Sequence, residues 1–135
     1  MNDSRQKRLV ILVDDEREFL EIASLKLQSK GFDTVQTNRA EDAIAKAEEL
    51  KPDLILSDIF MMPGPNGWNL ALELRRNPKT RDIKLAFFTS LSEPWMEIPA
   101  EMRAVVVSEL KNVPFLSKIE DIEDLGEKVI AILKN

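Results

Sequence analysis

The sequence predicts an α/β fold with a five-stranded parallel sheet and helices on both faces. Five short apolar runs alternate with stretches of helix length in which apolar residues recur every three or four positions. This alternation is typical of βαβ units, in which a helix connects two parallel strands. Asp14 and Asp15 follow the first run, and Asp58 follows the third. Because open α/β sheets bind ligands at the carboxyl ends of their strands, these carboxylates predict where the functional site lies.

Between residues 9 and 57, three strands alternate with two helices. The first helix is predicted to end before Gly31, since glycine is favoured just past a helix C-terminus. The second helix is predicted to begin after Asn38, which forms a capping box with Glu41, and to end before Pro52. The predicted elements are strand 9–13, helix 16–30, strand 34–36, the helix capped by Asn38, and strand 54–57. The apolar face predicted for the first helix consists of Phe19, Ile22, Ala23 and Leu27.

The alternation continues in the second half of the chain. Turn-forming residues at 64–67 precede a third helix, which stops at Asn77-Pro78. After the fourth strand, Pro94 and Pro99 favour a loop. A helix is predicted beyond this loop, although its valine triplet at 105–107 fits a helix only moderately well. The predicted elements are helix 68–76, strand 84–88, helix 100–110, strand 113–117 and helix 121–134.

Length and composition restrict the kinds of chemistry available. The 135 residues predict one domain, 1–135, with a polar tail over about 1–7. A net charge of −5 argues against binding to nucleic acid. The absence of cysteine and histidine excludes disulfides, thiol nucleophiles, zinc sites and imidazole catalysis. No apolar run is long enough for a signal peptide or a membrane span, so a cytoplasmic location is expected.

The acidic residues at the predicted sheet edge indicate a metal site. Three crowded carboxylates repel one another and raise a pKa unless a cation lies among them. All-oxygen ligands of this kind suit Mg²⁺ or Ca²⁺. Lys118 closes the fifth apolar run and adds a fixed positive charge. With Asp14, Asp15 and Asp58 it gives a net charge of −2, which one Mg²⁺ would neutralise.

Five short motifs in this order resemble the receiver domain of bacterial two-component response regulators. The resemblance covers essentially the whole chain and implies a doubly wound, flavodoxin-like sheet with strand order 2-1-3-4-5. Each motif lies at the end of a predicted strand or in the loop that follows. The motifs are Val-Asp-Asp-Glu at 13–16, Asp-Leu-Ile-Leu-Ser-Asp at 53–58, Met-Pro at 62–63 with Asn-Gly at 66–67, Thr-Ser at 89–90 and Phe-Leu-Ser-Lys at 115–118.

The resemblance implies a phosphoacceptor and a set of Mg²⁺ ligands. Asp58 would accept the phosphoryl group. Asp15 would ligate Mg²⁺ directly, and Asp14 directly or through water. The backbone carbonyl of Phe60 would be a further ligand. An aspartate carboxylate is a competent nucleophile for such a transfer.

Three further residues receive roles from the same resemblance. Lys118 would pair with the phosphoryl oxygens, and Thr89 would hydrogen-bond them. Phe115 stands where the family has an aromatic residue that moves inward together with the threonine on activation. From sequence alone, a place in the core explains Phe115 better than a switch role, because an aromatic residue in an apolar strand needs no other explanation.

The implied partners are proteins. A histidine kinase or phosphotransfer protein would donate the phosphoryl group from a phosphohistidine. A downstream target would bind the face of helix 4, strand 5 and helix 5, and a homodimer is compatible with the sequence. Phe19 and Leu20, near the site in the first helix, are the predicted kinase contact. Trp95, next to Pro94, is predicted to be partly exposed at an interface.

The sequence departs from the family pattern at three places. Ile119 follows Lys118 where the family has proline in a cis peptide; a cis bond before isoleucine would cost about 3–4 kcal/mol. The Met-Pro pair lies one residue further from Asp58 than usual, which predicts an insertion. The interval between Thr89 and Lys118 is several residues longer than usual, so the fourth helix is expected to be atypical.

Other interpretations of the same residues remain open. Asp14 and Asp15 fit a plain helix N-terminus, where the helix dipole favours acidic residues. A second functional class is a Mg²⁺-dependent phosphatase with an aspartate nucleophile, although no substrate-binding insertion is evident. A third is a receiver-like scaffold that binds partners without phosphorylation. The preferred interpretation is not a turnover enzyme, since the chain would catalyse only its own phosphorylation and dephosphorylation.

Overall fold

The protein forms a five-stranded parallel sheet in the order β2-β1-β3-β4-β5, which confirms the predicted fold class. A computed structural model describes residues 7–61 and 66–134. Every strand pair is parallel, and β1 lies between β2 and β3. The strands are β1 Leu9–Val13, β2 Asp33–Thr37, β3 Leu54–Ser57, β4 Lys84–Thr89 and β5 Phe115–Ser117.

Helices cover both faces of the sheet, as predicted. Alternate residues of each strand point to opposite faces, so the apolar strands feed two separate cores. One core packs β1, β3 and β4 against α2, α3 and α4, and the other packs the sheet against α1 and α5. The helices are α1 Arg17–Gln28, α2 Ala40–Leu50, α3 Gly67–Arg76, α4 Arg103–Glu109 and α5 Leu125–Lys134.

The first two helices differ from the prediction in detail. Ile22 is 48% exposed, and Leu20 lies in the core in its place. The prediction that Asn38 is the N-cap of α2 is wrong by one position, because Arg39 is the extended residue directly before the helix. Arg39 makes no side-chain cap hydrogen bond. Gly31 has a φ of 91°, which confirms its predicted place just past α1.

The third helix has a genuine cap at Asn66. Its side chain accepts a hydrogen bond from the Asn69 backbone N–H at 3.2 Å. The helix therefore begins at Gly67, one residue earlier than predicted. The residues just before it, Met62–Pro65, carry the predicted Met-Pro insertion and lie outside the described residues.

The end of the chain departs most from the prediction. β5 is shorter because the Val113 N–H bonds the Leu110 carbonyl, and Pro114 has no N–H to donate. Two short 3₁₀ turns, Pro94–Glu97 and Ala100–Met102, precede α4, so the helix predicted from residue 100 begins at Arg103. No helix in 7–61 or 66–134 is long and apolar enough to cross a membrane.

Helix α5 starts later than predicted because a local turn holds the residues before it. The Ser117 N–H donates to the Asp121 carboxylate at 2.6 Å, and the Asp121 N–H donates to the Ser117 carbonyl at 2.9 Å. The Ser117 hydroxyl also accepts the N–H groups of Ile119 and Glu120 at 3.2 and 3.1 Å. The Leu125 N–H then bonds the Ile122 carbonyl at 3.4 Å, a spacing of three residues, and the Lys128 N–H bonds the Asp124 carbonyl at 3.1 Å. Regular α-helical bonding therefore begins only here, and α5 begins at Leu125.

Candidate functional site

Three aspartates converge at the carboxyl edge of the sheet. The backbone fixes two of them, since the Asp58 N–H bonds the Val13 carbonyl at 2.8 Å and the Asp14 N–H bonds the Thr37 carbonyl at 3.1 Å. One carboxylate oxygen from each of Asp14, Asp15 and Asp58 lies within 4.8 Å of the others. Asp14 and Asp58 are buried, whereas Asp15 is exposed. The structure thus brings together the three carboxylates that the sequence placed at strand ends.

Lys118 reaches into this acidic cluster from the end of β5. Its Nζ lies 2.7 Å from Asp14 Oδ2 and 3.3 Å from Asp58 Oδ2. The backbone places it there, because the Lys118 N–H donates to the Thr89 carbonyl at 2.9 Å. The ammonium group also lies 4.5 Å from the centre of the Phe19 ring, within cation–π range. With a side chain only 9% exposed, Lys118 is a buried ion-pair partner and not a solvated surface charge.

A further carboxylate on Lys118 was missed by the sequence analysis. Glu16 Oε1 lies 3.0 Å from Lys118 Nζ, although the glutamate side chain is 66% exposed. The Glu16 N–H also donates to Asp14 Oδ1 at 3.0 Å. Its position directly after the aspartate pair was visible in the sequence, but an exposed glutamate at a helix start has an ordinary explanation.

Gly67 is a second residue whose importance was missed. Its N–H donates to the Ile59 carbonyl at 2.5 Å. A Cβ atom at this position would collide with the Asp58 carbonyl oxygen and the Ile59 Cα. Glycine therefore lets the N-terminus of α3 approach the backbone that carries Asp58. The sequence indicated a turn and part of a family motif here but not this packing, because the close approach depends on tertiary structure.

The ionisation of the site follows from its burial. Burial raises the pKa of Asp58 to about 6; Lys118 opposes the rise, and the Asp14 charge adds to it. Burial also raises the pKa of Asp14, against the hydrogen bond from Lys118. Burial alone would lower the pKa of Lys118, but the hydrogen bond to Asp14 and the charge of Asp58 raise it overall. The lysine stays charged, while the buried carboxylates are destabilised as anions.

Thr89 lies at the edge of the site, where its carbonyl accepts the Lys118 N–H and its hydroxyl bonds a backbone N–H. The threonine is buried, and its Oγ1 accepts a hydrogen bond from the Leu91 N–H at 3.1 Å. The structure therefore uses this hydroxyl to hold the turn after β4. A contact with a phosphoryl group remains a prediction for Thr89.

Phe115 is half-buried and packs against the core on the face of the sheet that α3 and α4 cover. Its ring is 5.3 Å from that of Phe87 in a stacked arrangement and 4.5 Å from that of Trp95 in an edge-on arrangement. Trp95 covers it and is 44% exposed, which agrees with the partial exposure predicted for this tryptophan. Both the core and the switch interpretation of Phe115 are compatible with these contacts.

Phe60 and Ile119, the last two residues that the sequence analysis singled out near the site, are both exposed. Phe60 follows Asp58 by two positions, and its side chain is 48% exposed; the metal role of its carbonyl remains a prediction. Ile119, in the place of the expected proline, is 74% exposed, and its N–H bonds Ser117 Oγ. A proline could not make that bond. The Ser117 turn thus supports the loop behind Lys118 in this chain.

The donor set fits a hard divalent cation. Carboxylate oxygens are the ligands that Mg²⁺ prefers, and the three oxygens are close enough to share one ion. Burial raises the pKa of Asp58, so a cation beside its carboxylate would stabilise the ionised form. Asp14, Asp15 and Asp58 are therefore the residues that would hold Mg²⁺.

Residues 10–130 match the sequence profile described as the response regulator receiver domain. The chain belongs to this family. Among curated relatives, it is 34% identical over 86 residues to the phosphate regulon transcriptional regulatory protein PhoB of Pseudomonas aeruginosa. That match covers 64% of the chain and 37% of the relative. It is 27% identical over 125 residues to the DNA-binding dual master transcriptional regulator RpaA of Synechocystis, covering 93% of the chain and 48% of the relative. The chain thus spans less than half of these relatives.

Two solved structures share the fold of this chain. The chemotaxis response regulator CheY4 of Vibrio cholerae superposes with a TM-score of 0.76 at 22% identity, covering 94% of this chain and 99% of that one. A sensor protein from Polaromonas gives a TM-score of 0.80 at 21% identity, covering 95% and 97%. Together with the family match, this makes the chain a response regulator receiver domain of two-component signalling.

Proposed function

We propose that this receiver domain accepts a phosphoryl group on Asp58 in a Mg²⁺-dependent reaction. The observation that carries the proposal is the pairing of a buried Asp58 with two converging aspartates and the ammonium of Lys118. Phosphoryl transfer depends mainly on positioning and on stabilising charge on the transferring oxygens. The site supplies a nucleophile, a fixed cation and a ligand set for Mg²⁺ within one cluster.

In the proposed step, a carboxylate oxygen of Asp58 attacks phosphorus. The new P–O bond forms as the P–N bond to the donor phosphohistidine breaks, and the electron pair stays on the leaving imidazole nitrogen. Asp58 thereby becomes an acyl phosphate. Lys118 pairs with the phosphoryl oxygens, and the Ile59 N–H, now 2.8 Å from Asp58 Oδ1, helps orient the carboxyl group. Bound Mg²⁺ supplies additional positive charge for the phosphoryl oxygens.

The partners follow from this chemistry. The chain has no histidine, so the phosphohistidine belongs to a histidine kinase or a phosphotransfer protein. The proposed output is a change in the face formed by α4, β5 and α5, where a downstream protein or a second copy of the chain would bind. The domain is proposed to turn over only its own phosphoryl group, so it is not an enzyme acting on a separate substrate.

The test is intact-mass analysis after incubation with Mg²⁺ and acetyl phosphate. We expect one added phosphoryl group on the wild type, none without Mg²⁺, and none on Asp58→Asn. An adduct that persists on Asp58→Asn would place the acceptor elsewhere. If the wild type gains no mass and also fails to bind beryllofluoride, a stable mimic of the acyl phosphate, the proposal is wrong and the scaffold interpretation replaces it.

A further inference from the structure

All three N–H donors of the Lys118 ammonium have a carboxylate partner. A lysine ammonium carries three donors and no acceptor. Asp14, Glu16 and Asp58 each place an oxygen between 2.7 and 3.3 Å from Nζ. An additional anion could therefore bind Lys118 fully only after one of these carboxylates leaves.

Of the three carboxylates, that of Glu16 can move away from Lys118 at the lowest cost in free energy. Its side chain is 66% exposed, whereas those of Asp14 and Asp58 are 5% and 11% exposed. A released glutamate regains its hydration, but a released buried aspartate would remain partly desolvated and unpaired. The oxygens that converge as a metal cluster come from Asp14, Asp15 and Asp58 and do not include Glu16.

The backbone of Glu16 stays in place whichever way its side chain points. Its carbonyl accepts the Leu20 N–H at 3.1 Å, and its N–H donates to Asp14 at 3.0 Å. These bonds tie the residue to the first turn of α1 and to the site. Only side-chain torsions need to change when the contact with Lys118 breaks.

We propose that Glu16 competes with the phosphoryl group for Lys118 and thereby lowers the affinity of the site for phosphoryl anions. This inference rests on the proposed phosphorylation of Asp58. Glu16 is a positioning residue in this scheme, since it holds Lys118 in its resting position and releases it when an anion arrives. The ion pair between Glu16 and Lys118 is weak because Glu16 is exposed. We therefore expect its removal to change the dissociation constant by about two- to fivefold.

Three variants separate direct contact from net charge. Glu16→Gln removes the charge of the competitor. Glu16→Asp keeps the charge but shortens the side chain by one methylene, so the contact with Lys118 is lost. Glu18→Gln is the matched control, because it removes the same charge from an exposed glutamate in the first turn of the same helix.

The experiment is a titration with beryllofluoride at saturating Mg²⁺, followed by the amide resonances of the site. We expect both Glu16 variants to bind about two- to fivefold more tightly than the wild type, and Glu18→Gln to bind like the wild type. Thermal unfolding of the same samples should be nearly unchanged, since an exposed ion pair contributes little stability. A purely structural role for Glu16 would instead change unfolding and leave the binding constant alone.

Two results would overturn the inference while the proposed function stands. One is binding by Glu16→Gln and Glu16→Asp that equals the wild type. The other is a pattern in which Glu16→Gln and Glu18→Gln bind beryllofluoride more tightly by the same factor, while Glu16→Asp binds it like the wild type. That pattern would show an effect of net charge only. A wild type that neither binds beryllofluoride nor gains a phosphoryl group would overturn both proposals together.

Discussion

Asp58 is expected to destabilise the folded protein at neutral pH in the absence of a divalent cation. Burial raises the pKa of this carboxyl from 3.8 to about 6, so the folded state binds the proton more tightly than the unfolded chain does. The free energy of unfolding therefore falls as pH rises from about 4 to about 6, and it stays lower above that range. Replacing Asp58 with asparagine removes this ionisation and should stabilise the protein at pH 7.5.

The magnitude follows from the size of the pKa change. A rise of about two pH units corresponds to about 3 kcal/mol, since one unit is worth about 1.4 kcal/mol. Asparagine cannot accept from both the Ile59 N–H and Lys118 as the carboxylate does, because one of its terminal atoms is a donor. We therefore expect Asp58→Asn to raise the free energy of unfolding by about 2 kcal/mol at pH 7.5 and by little at pH 4.

The assay is urea unfolding of both proteins across pH 4 to 8 with a chelator present. Asp42→Asn serves as the control, because it removes one carboxylate from an exposed position in α2 and should change the stability little. Added Mg²⁺ should stabilise the wild type more than Asp58→Asn, which narrows the gap between them. The reasoning would be refuted if the two proteins differed equally in free energy of unfolding at pH 4 and pH 7.5. It would also be refuted if Asp58→Asn were less stable than the wild type at pH 7.5.

Substitutions at three further positions test contacts that support the fold. Gly67→Ala should lower the free energy of unfolding by about 2 kcal/mol and slow phosphorylation by acetyl phosphate, because the new methyl group collides with the Asp58 backbone; unchanged unfolding would mean that α3 shifts freely. Trp95→Ala should cost about 1 kcal/mol in urea unfolding through the lost edge-on contact with Phe115, and Trp95→Phe should cost less. Lys84→Met should lower the melting temperature and the free energy of unfolding, the latter by about 1 kcal/mol, because Lys84 Nζ donates to two carbonyls at the end of α5 at 3.1 and 3.2 Å. A melting temperature equal to that of the wild type would show that these two hydrogen bonds contribute nothing to stability.

The first and third strands could be predicted from their residues because they are apolar runs buried on both faces. The order of the strands came from the family resemblance. The predicted limits of the first and third strands, 9–13 and 54–57, agree with the structure residue for residue. Such runs have few alternatives to a central parallel strand. The carboxylates at their ends then share one edge by topology alone, which is why Asp14 and Asp58 could be paired from sequence.

What the sequence could not predict depends on side chains meeting across the fold. The predicted start of α5 was wrong because the residues before Leu125 form local turns, in the last of which the Leu125 N–H bonds the Ile122 carbonyl. The need for glycine at position 67 arises only when α3 packs against the Asp58 backbone. The pairing of Glu16 with Lys118 joins residues separated by 102 positions, and neither residue type requires the other. These features needed the structure because propensity and periodicity carry no information about them.

The same charged residues determine both the stability of the folded protein and the binding of ions at the site. Asp14, Asp15 and Asp58 with Lys118 carry a net charge of −2, and Glu16 makes it −3. Folding confines this charge at a partly buried sheet edge, so the folded state holds unfavourable energy there that a bound cation would relieve. By linkage, a cation that binds only the folded protein must stabilise it. A phosphoryl group would add negative charge at the same edge, so under the two proposals its binding is expected to depend on the cation and on the release of Lys118 by Glu16. Metal affinity, phosphoryl affinity and the free energy of unfolding should therefore change together when any one of these charges is altered.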